Sequence, residues 1–280
     1  MKISVERALA TLVAGFLIAG AGSSAVAGAT EASGTMPSAA ASVQRPVPQA
    51  VVDRYRLDTR WYAKYVQGPT DVHTGQSIAV LGSALVADAT LLKAARQLEA
   101  MVRTYPYYPV PELDRRNVRV VVTARGEKMS SIPEVRAIYG TSLDARYWAG
   151  MGATDSLPLS VGTEANLVDG QGGENCYLHE FGHSVADMAL RHIDPNFTRE
   201  LRAAYDRARS TGLWNNTYAA SNTSEYWAEG VQSYFDVNRE GPRNGDGVHN
   251  DVNTRAELAT YDRPLHALLE RVYRGATMPT

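Results

Sequence analysis

Residues 174–191 read ENCYLHEFGHSVADMALR, and the pattern within them, His179-Glu180-Phe181-Gly182-His183, decides how the rest of the chain is read. On a helix, positions four apart lie one turn above each other. His179 and His183 can therefore offer two imidazole nitrogens to one metal ion, while Glu180 beside them can reach a water bound to it. Two neutral nitrogen ligands, a carboxylate base and an open coordination position are the donor set of zinc hydrolases. The flanking residues fit the same helix. Cys176, His179, Glu180, His183 and Asp187 fall on one stripe, and Leu178, Phe181, Val185 and Met188 fall on another. The first stripe can line a cleft and the second can enter a core. Cys176 lies one turn before His179 and is read as a small buried residue rather than a ligand.

A catalytic zinc needs at least one further protein ligand. The segment Ser224-Glu225-Tyr226-Trp227-Ala228-Glu229-Gly230 is its best source. Glu225 and Glu229 share a helix face, so one can bind the metal while the other supports a ligating histidine. Spacing alone leaves open which does which. The adjacent Tyr and Trp imply that this helix is substantially buried. Asp187 fits equally as a group supporting the site or as a carboxylate on the helix surface.

Working outward, residues 77–81 and 118–123 read as strands, and residues 60–66 as an aromatic strand ended by Gly68-Pro69. Residues 157–161 form an extended run, offered as an edge strand on which a peptide could pair. Residues 87–103 carry helical spacing, with Lys93, Arg96 and Glu99 on the wet side. After the motif, a helix is expected from Asp194 as N-cap and Pro195 as first residue to about residue 210. Another runs from Asn222 to about residue 238, where Glu225 three residues after the cap suggests a capping box. Residues 253–273 are helical, with a break at Asp262-Arg263-Pro264. Strands gather early and helices late, which gives an α+β fold with a small mixed sheet. His73, His192, His249 and His266 are read as structural or exposed. Asn244 to Asp251 lack the spaced ligands of an EF-hand and read as an Asx-rich turn.

Composition bounds the rest. The 44% apolar fraction is ample for a core, and the net charge of −2 gives no electrostatic footprint for nucleic acid. Lys2 and Arg7, the apolar residues 8–22 and Ala25-Val26-Ala27 read as a signal peptide over residues 1–27, so the protein is expected to be secreted. That apolar run is short for a bilayer span, and no membrane association is expected after cleavage. Residues 28–50, rich in Ala, Ser and Pro, read as a disordered linker or short pro-segment. Residues 51–280 form the folded, catalytic part, expected to act as a monomer. With one cysteine, no intrachain disulfide can contribute to stability.

Taken together, His179-Glu180-Phe181-Gly182-His183, then Tyr218, then Glu225-Tyr226-Trp227-Ala228-Glu229 resemble the catalytic domain of the anthrax lethal factor family, gluzincin metallopeptidases. The resemblance spans residues 173–236. It implies a zincin-like domain with an active-site helix and a second, ligand-bearing helix. It also implies one Zn2+ held by His179, His183 and Glu225, with Glu180 as general base. Tyr218, seven residues before the ligand, would stabilise the oxyanion, and Glu229 would support the ligands. The substrate would be a peptide or protein. A zinc hydrolase of another amide, such as a cell-wall crosslink, shares this motif. A catalytically silent zincin fold that binds a partner is the alternative of a different class.

Overall fold

The computed structural model describes residues 41–103, 108–145, 148–169 and 173–279, all within the compact unit Ala39–Thr280. The leader read over residues 1–27 lies outside the described residues, as does the linker up to residue 40. The remainder of that expected linker is built into the fold. Gln44 bridges to Tyr65, Val47 is buried, and helix α1 starts at Gln49 (Gln49–Tyr55).

Five strands make a mixed sheet: β1 (Lys64–Thr70), β2 (Ser77–Gly82), β3 (Arg119–Thr123), β4 (Gly150–Met151) and β5 (Leu159–Thr163). Their spatial order is β1-β2-β3-β5-β4, with β2, β3 and β5 parallel and the two outer strands antiparallel to their neighbours. The register aligns Val80 with Val120 and Val121 with Val161. Because side chains alternate along a strand, Ile78, Val80, Val120 and Val122 feed a core on one face. Ala79, Leu81, Val121 and Val161 feed a second core on the other. Both faces being covered explains the unbroken apolar run of β3.

Two strand assignments change. The aromatic strand expected at residues 60–66 begins only at Lys64 and continues through Gly68-Pro69 to Thr70. A proline is tolerated there because β1 is an outer strand and its register slips between Gln67 and Thr70. The run at residues 157–161 becomes β5, which lies between β3 and β4 and is not an edge. The free edge on that side belongs to β4, two residues long and without a readable period.

The first core is closed by helices. α2 (Asp88–Val102) lies between β2 and β3 in the chain, followed by α3 (Val110–Arg115). The start of α2 has no cap of its own. Instead Glu164 accepts the Ala87 amide and the Thr90 hydroxyl, both at 2.9 Å. Glu164 opens α5 (Glu164–Asp169), while α4 (Pro133–Tyr139) covers the second core.

The motif helix α6 (Cys176–Val185) is capped by Asn175, which accepts the Leu178 amide, and continues through a π-helical turn, Ala186–Leu190. α7 (Phe197–Ser210) starts later than expected, with Asn196 as its N-cap. Asp194 instead accepts the Asn196 amide at 2.9 Å and a bond from Arg271. α8 (Thr223–Tyr234) has Asn222 as N-cap, accepting the amides of Ser224 and Glu225, and stops four residues short of the expected 238. α9 (Arg255–Tyr261) and α10 (Arg263–Tyr273) follow, with the break where the sequence places it. Among the described residues no helix is long and apolar enough to cross a membrane.

α8 packs directly on α6. Gly182 faces Val231, and the fully buried Trp227 donates its indole N–H to Gly182 O at 3.1 Å. The Trp227 ring meets Phe197 edge-on at 5.1 Å. Trp227→Ala removes this contact and leaves a cavity, so it should cost about 3–5 kcal/mol. The measurement is the urea midpoint of the variant beside wild type. A loss under about 1 kcal/mol would show that this ring does not hold the two helices together.

Candidate metal centre

The stripe expected on α6 is seen. Leu178, Phe181, Val185 and Met188 are buried in the core, while His179 and His183 turn the other way towards α8. The T-shaped imidazole pair has ring centroids 4.8 Å apart. His179 Nε2 and His183 Nε2 are 3.1 Å apart, and Glu225 Oε2 lies 3.0 Å from the first and 3.1 Å from the second. Together these three residues could hold a metal ion, the one such group among the described residues.

The donor chemistry fits a metal. His179 Nδ1 faces Gln232 Oε1 at 2.9 Å, and an amide oxygen can only accept. Nδ1 therefore carries a proton, so in the neutral ring Nε2 presents a lone pair to the cluster. His183 Nδ1 pairs with Ser224 Oγ at 2.8 Å, leaving its Nε2 aimed the same way. Two ring nitrogens and a carboxylate oxygen then converge within little more than 3 Å, an arrangement that a cation satisfies.

Electrostatics agree. Burial raises the Glu225 carboxyl, but the bonds to His179 and His183 outweigh it and hold the group far below its usual range. Burial would depress His179. The Glu225 bond and the charges of Glu229, Glu180 and Glu225 instead raise it to about 10.

Glu180 lies beside the cluster. Burial raises its carboxyl above the usual range, against the pull of His179 and His183, and the Gly152 amide donates to it. β4 and the residue that follows it approach so closely that a Cβ on Gly150 would sit 2.5 Å from Glu180 Cγ, and one on Gly152 would sit 2.8 Å from His183 Cβ. Only glycine lets the strand lie this near. Residues 150–152 are thus a wall of the site.

Tyr218 opens a short 3₁₀ turn, Tyr218–Ala220. Its hydroxyl donates to Glu225 Oε1 at 3.1 Å, and its ring stacks with His179 at 6.2 Å. Burial, then the Glu225 charge, push the phenol well above its ordinary value, so it stays protonated at neutral pH.

The remaining expected residues divide. Glu229 is buried beside His179, with Oε1 3.4 Å from Nδ1, and accepts a bond from Asn238 at 3.2 Å. The closer partner of His179 is Gln232, which the sequence reading missed. Gln232 lies seven residues after Glu225 on the same helix face, so helical periodicity could have found it. Ser224 was missed too, although it directly precedes the ligand position. Asp187 is half-buried and bonds neither histidine; burial raises its carboxyl. The capping box proposed for Glu225 does not form, because its carboxylate turns to the histidines. Cys176 is half-buried outside the ligand cluster, its thiol pushed up by burial and by Glu174.

Of the other histidines, His73 and His192 are exposed, His266 is half-buried near Tyr234, and His249 is buried against Glu174 at 2.9 Å. Asp246 Oδ1 accepts the amides of Val248 and His249, an Asx turn as expected. A groove of about 390 Å³ between α7 and α10, lined in part by Glu200, Ala204, Arg207 and Leu268, shares no residue with the cluster. No protein-family model matches the sequence, and no curated protein matches it.

The coupled pair predicts how metal and protons exchange. His179 is raised from 6.5 to about 10, so its pairing with Glu225 stabilises the metal-free fold fully below about pH 6.5 and is lost as pH rises towards 10. Glu225 is depressed, so its contribution is present above its ordinary 4.5 and is lost as pH falls through its lowered value. Both are present together between about pH 4.5 and 6.5. A metal must displace the His179 proton. Binding of Zn2+ or Co2+ at pH 7 should release about one proton per ion, and affinity should rise about tenfold per pH unit between 7 and 9. Calorimetry in buffers of different ionisation enthalpy reads this directly. Zero proton release would show His179 already neutral.

Proposed function

We propose that the chain is a secreted zinc-dependent metallopeptidase of the gluzincin type, with a zincin-like catalytic domain. One observation carries the reading: a His–His–Glu cluster with the half-buried Glu180 carboxylate beside it and a protonated tyrosine bonded to Glu225. The two histidines and a carboxylate favour zinc over harder ions. The basic and apolar residues at the N-terminus support export.

His179, His183 and Glu225 would hold the ion, and Gln232 and Ser224 would keep the two rings turned towards it. When bound, zinc supplies Lewis-acid activation of a water and of the scissile carbonyl. Glu180 takes the proton of the attacking water and passes it to the leaving amine. Its raised pKa suits both halves of that transfer. The Tyr218 hydroxyl donates to the oxygen that becomes negative as the carbonyl is attacked. That hydroxyl also donates to Glu225 Oε1 at 3.1 Å, which keeps it beside the cluster. An extended peptide has a place to pair along the outer edge of β4, directly over Glu180.

The test is zinc content and turnover of a peptide library by purified protein. Glu180→Gln should keep about one zinc and lose at least about 10³-fold in kcat. Glu225→Ala should lose both zinc and activity. Tyr218→Phe should keep zinc and lose about 100-fold in kcat with KM little changed. Full hydrolysis by zinc-loaded Glu180→Gln would sink the mechanism.

A further inference from the structure

The Gly-, Asn- and Asp-rich residues 241–250 make more contacts than a surface turn requires. Their backbone runs beside residues 214–218, which lead into Tyr218. The Tyr218 amide donates to Val248 O at 2.8 Å, and the Gly247 amide donates to Asn216 O at 2.8 Å. Asn216 Nδ2 donates to Gly245 O at 2.7 Å. The approach is so close that a Cβ on Gly245 would lie 2.2 Å from Asn216 O, and Gly245 itself has φ +75°. Asn216 is also left-handed, at φ 57°.

The loop is fastened at its other side. The Gly241 amide closes it onto Asn250 O at 2.7 Å. Arg239 pairs with Asp246 at 3.0 Å. His249, buried, pairs with Glu174, the residue before the N-cap of α6. The loop thus ties the head of the motif helix to the backbone of Tyr218. The Tyr218 side chain is 42% exposed, so packing alone would let it swing. Where its hydroxyl lies relative to Glu225 is set by the backbone that carries it.

We propose that residues 241–250 are a clamp that holds Tyr218 in place beside the metal cluster, with Gly245 as the positioning residue. The clamp rests on the peptidase reading for what the hydroxyl does, but not for the holding itself. Gly245→Ala would force the two backbones apart by about 1 Å, a displacement that can cost about 100-fold in rate.

The experiment compares wild type, Gly245→Ala, Tyr218→Phe and the double variant, with Asn216→Gly as a milder break that suits a left-handed backbone. Each is measured for zinc content, kcat and KM on a library-selected peptide, and amide hydrogen exchange. In Gly245→Ala, kcat should fall at least about tenfold with zinc retained and KM little changed. The amides of Tyr218 and Gly247 should lose protection while α6 and α8 keep theirs. Asn216→Gly should move both readouts the same way by less. In the Tyr218→Phe background, Gly245→Ala should have little further effect on kcat, because both act through one hydroxyl.

An equal fall in both backgrounds would overturn the clamp, as would unchanged protection at Tyr218. If Gly245→Ala fails to fold, Asn216→Gly decides by the same criteria. A zinc-loaded wild type without turnover would overturn the peptidase reading alone; hydrogen exchange at Tyr218 would then decide the clamp.

Discussion

The face-to-face packing of α8 on α6 is the constraint from which the site follows. The three candidate ligands come from positions up to 46 residues apart in the chain. They meet only because Gly182 lets Val231 approach and Trp227 reaches across to the Gly182 carbonyl. With the helices fixed at that distance, Glu225, Glu229 and Gln232 face the histidines as one row, because positions four and seven apart share a helix face. The burial that holds the helices together also removes water from the cluster. Loss of that solvation makes a lone carboxylate costly there and a paired one strongly bound.

The sheet's contribution is a wall. β4 and the residue after it lie against α6 so tightly that Gly150 faces Glu180 and Gly152 faces His183 with no room for a Cβ. The Glu180 carboxylate is therefore half-buried between its own helix and this strand, with the Gly152 amide as a donor. Tyr218 reaches Glu225 and His179 from a segment fastened by hydrogen bonds to the loop at residues 241–250. Three separate parts of the chain thus bound one small volume, and each is anchored to the head or flank of the same helix.

Much of this was legible in the sequence because helices carry a long period. The two stripes of α6 predicted which side chains enter the core and which face the cluster, and the spacing of Glu225 and Glu229 placed both near the histidines. Short or non-periodic features were not legible. A two-residue strand such as β4 has no alternation to read, so the edge was assigned to residues 157–161 instead. Pro69 looked like a strand end because nothing local says that β1 is an outer strand. Asn222 followed by Glu225 fits a capping box and a ligand-bearing helix equally well; only the nearby histidines decide between them. The cap on α2 comes from Glu164, 77 residues away, beyond any local signal.

The bridge between Gln44 and Tyr65 bears on how the outer margin of the sheet is closed. β1 ends the sheet, and an outer strand exposes unpaired amides and carbonyls that can recruit another molecule. Both Tyr65 backbone groups are taken by Gln44, only about twenty residues earlier. The segment that looks like a mere approach to the fold thus covers part of this outer margin, and shortening the protein past residue 44 would uncover it.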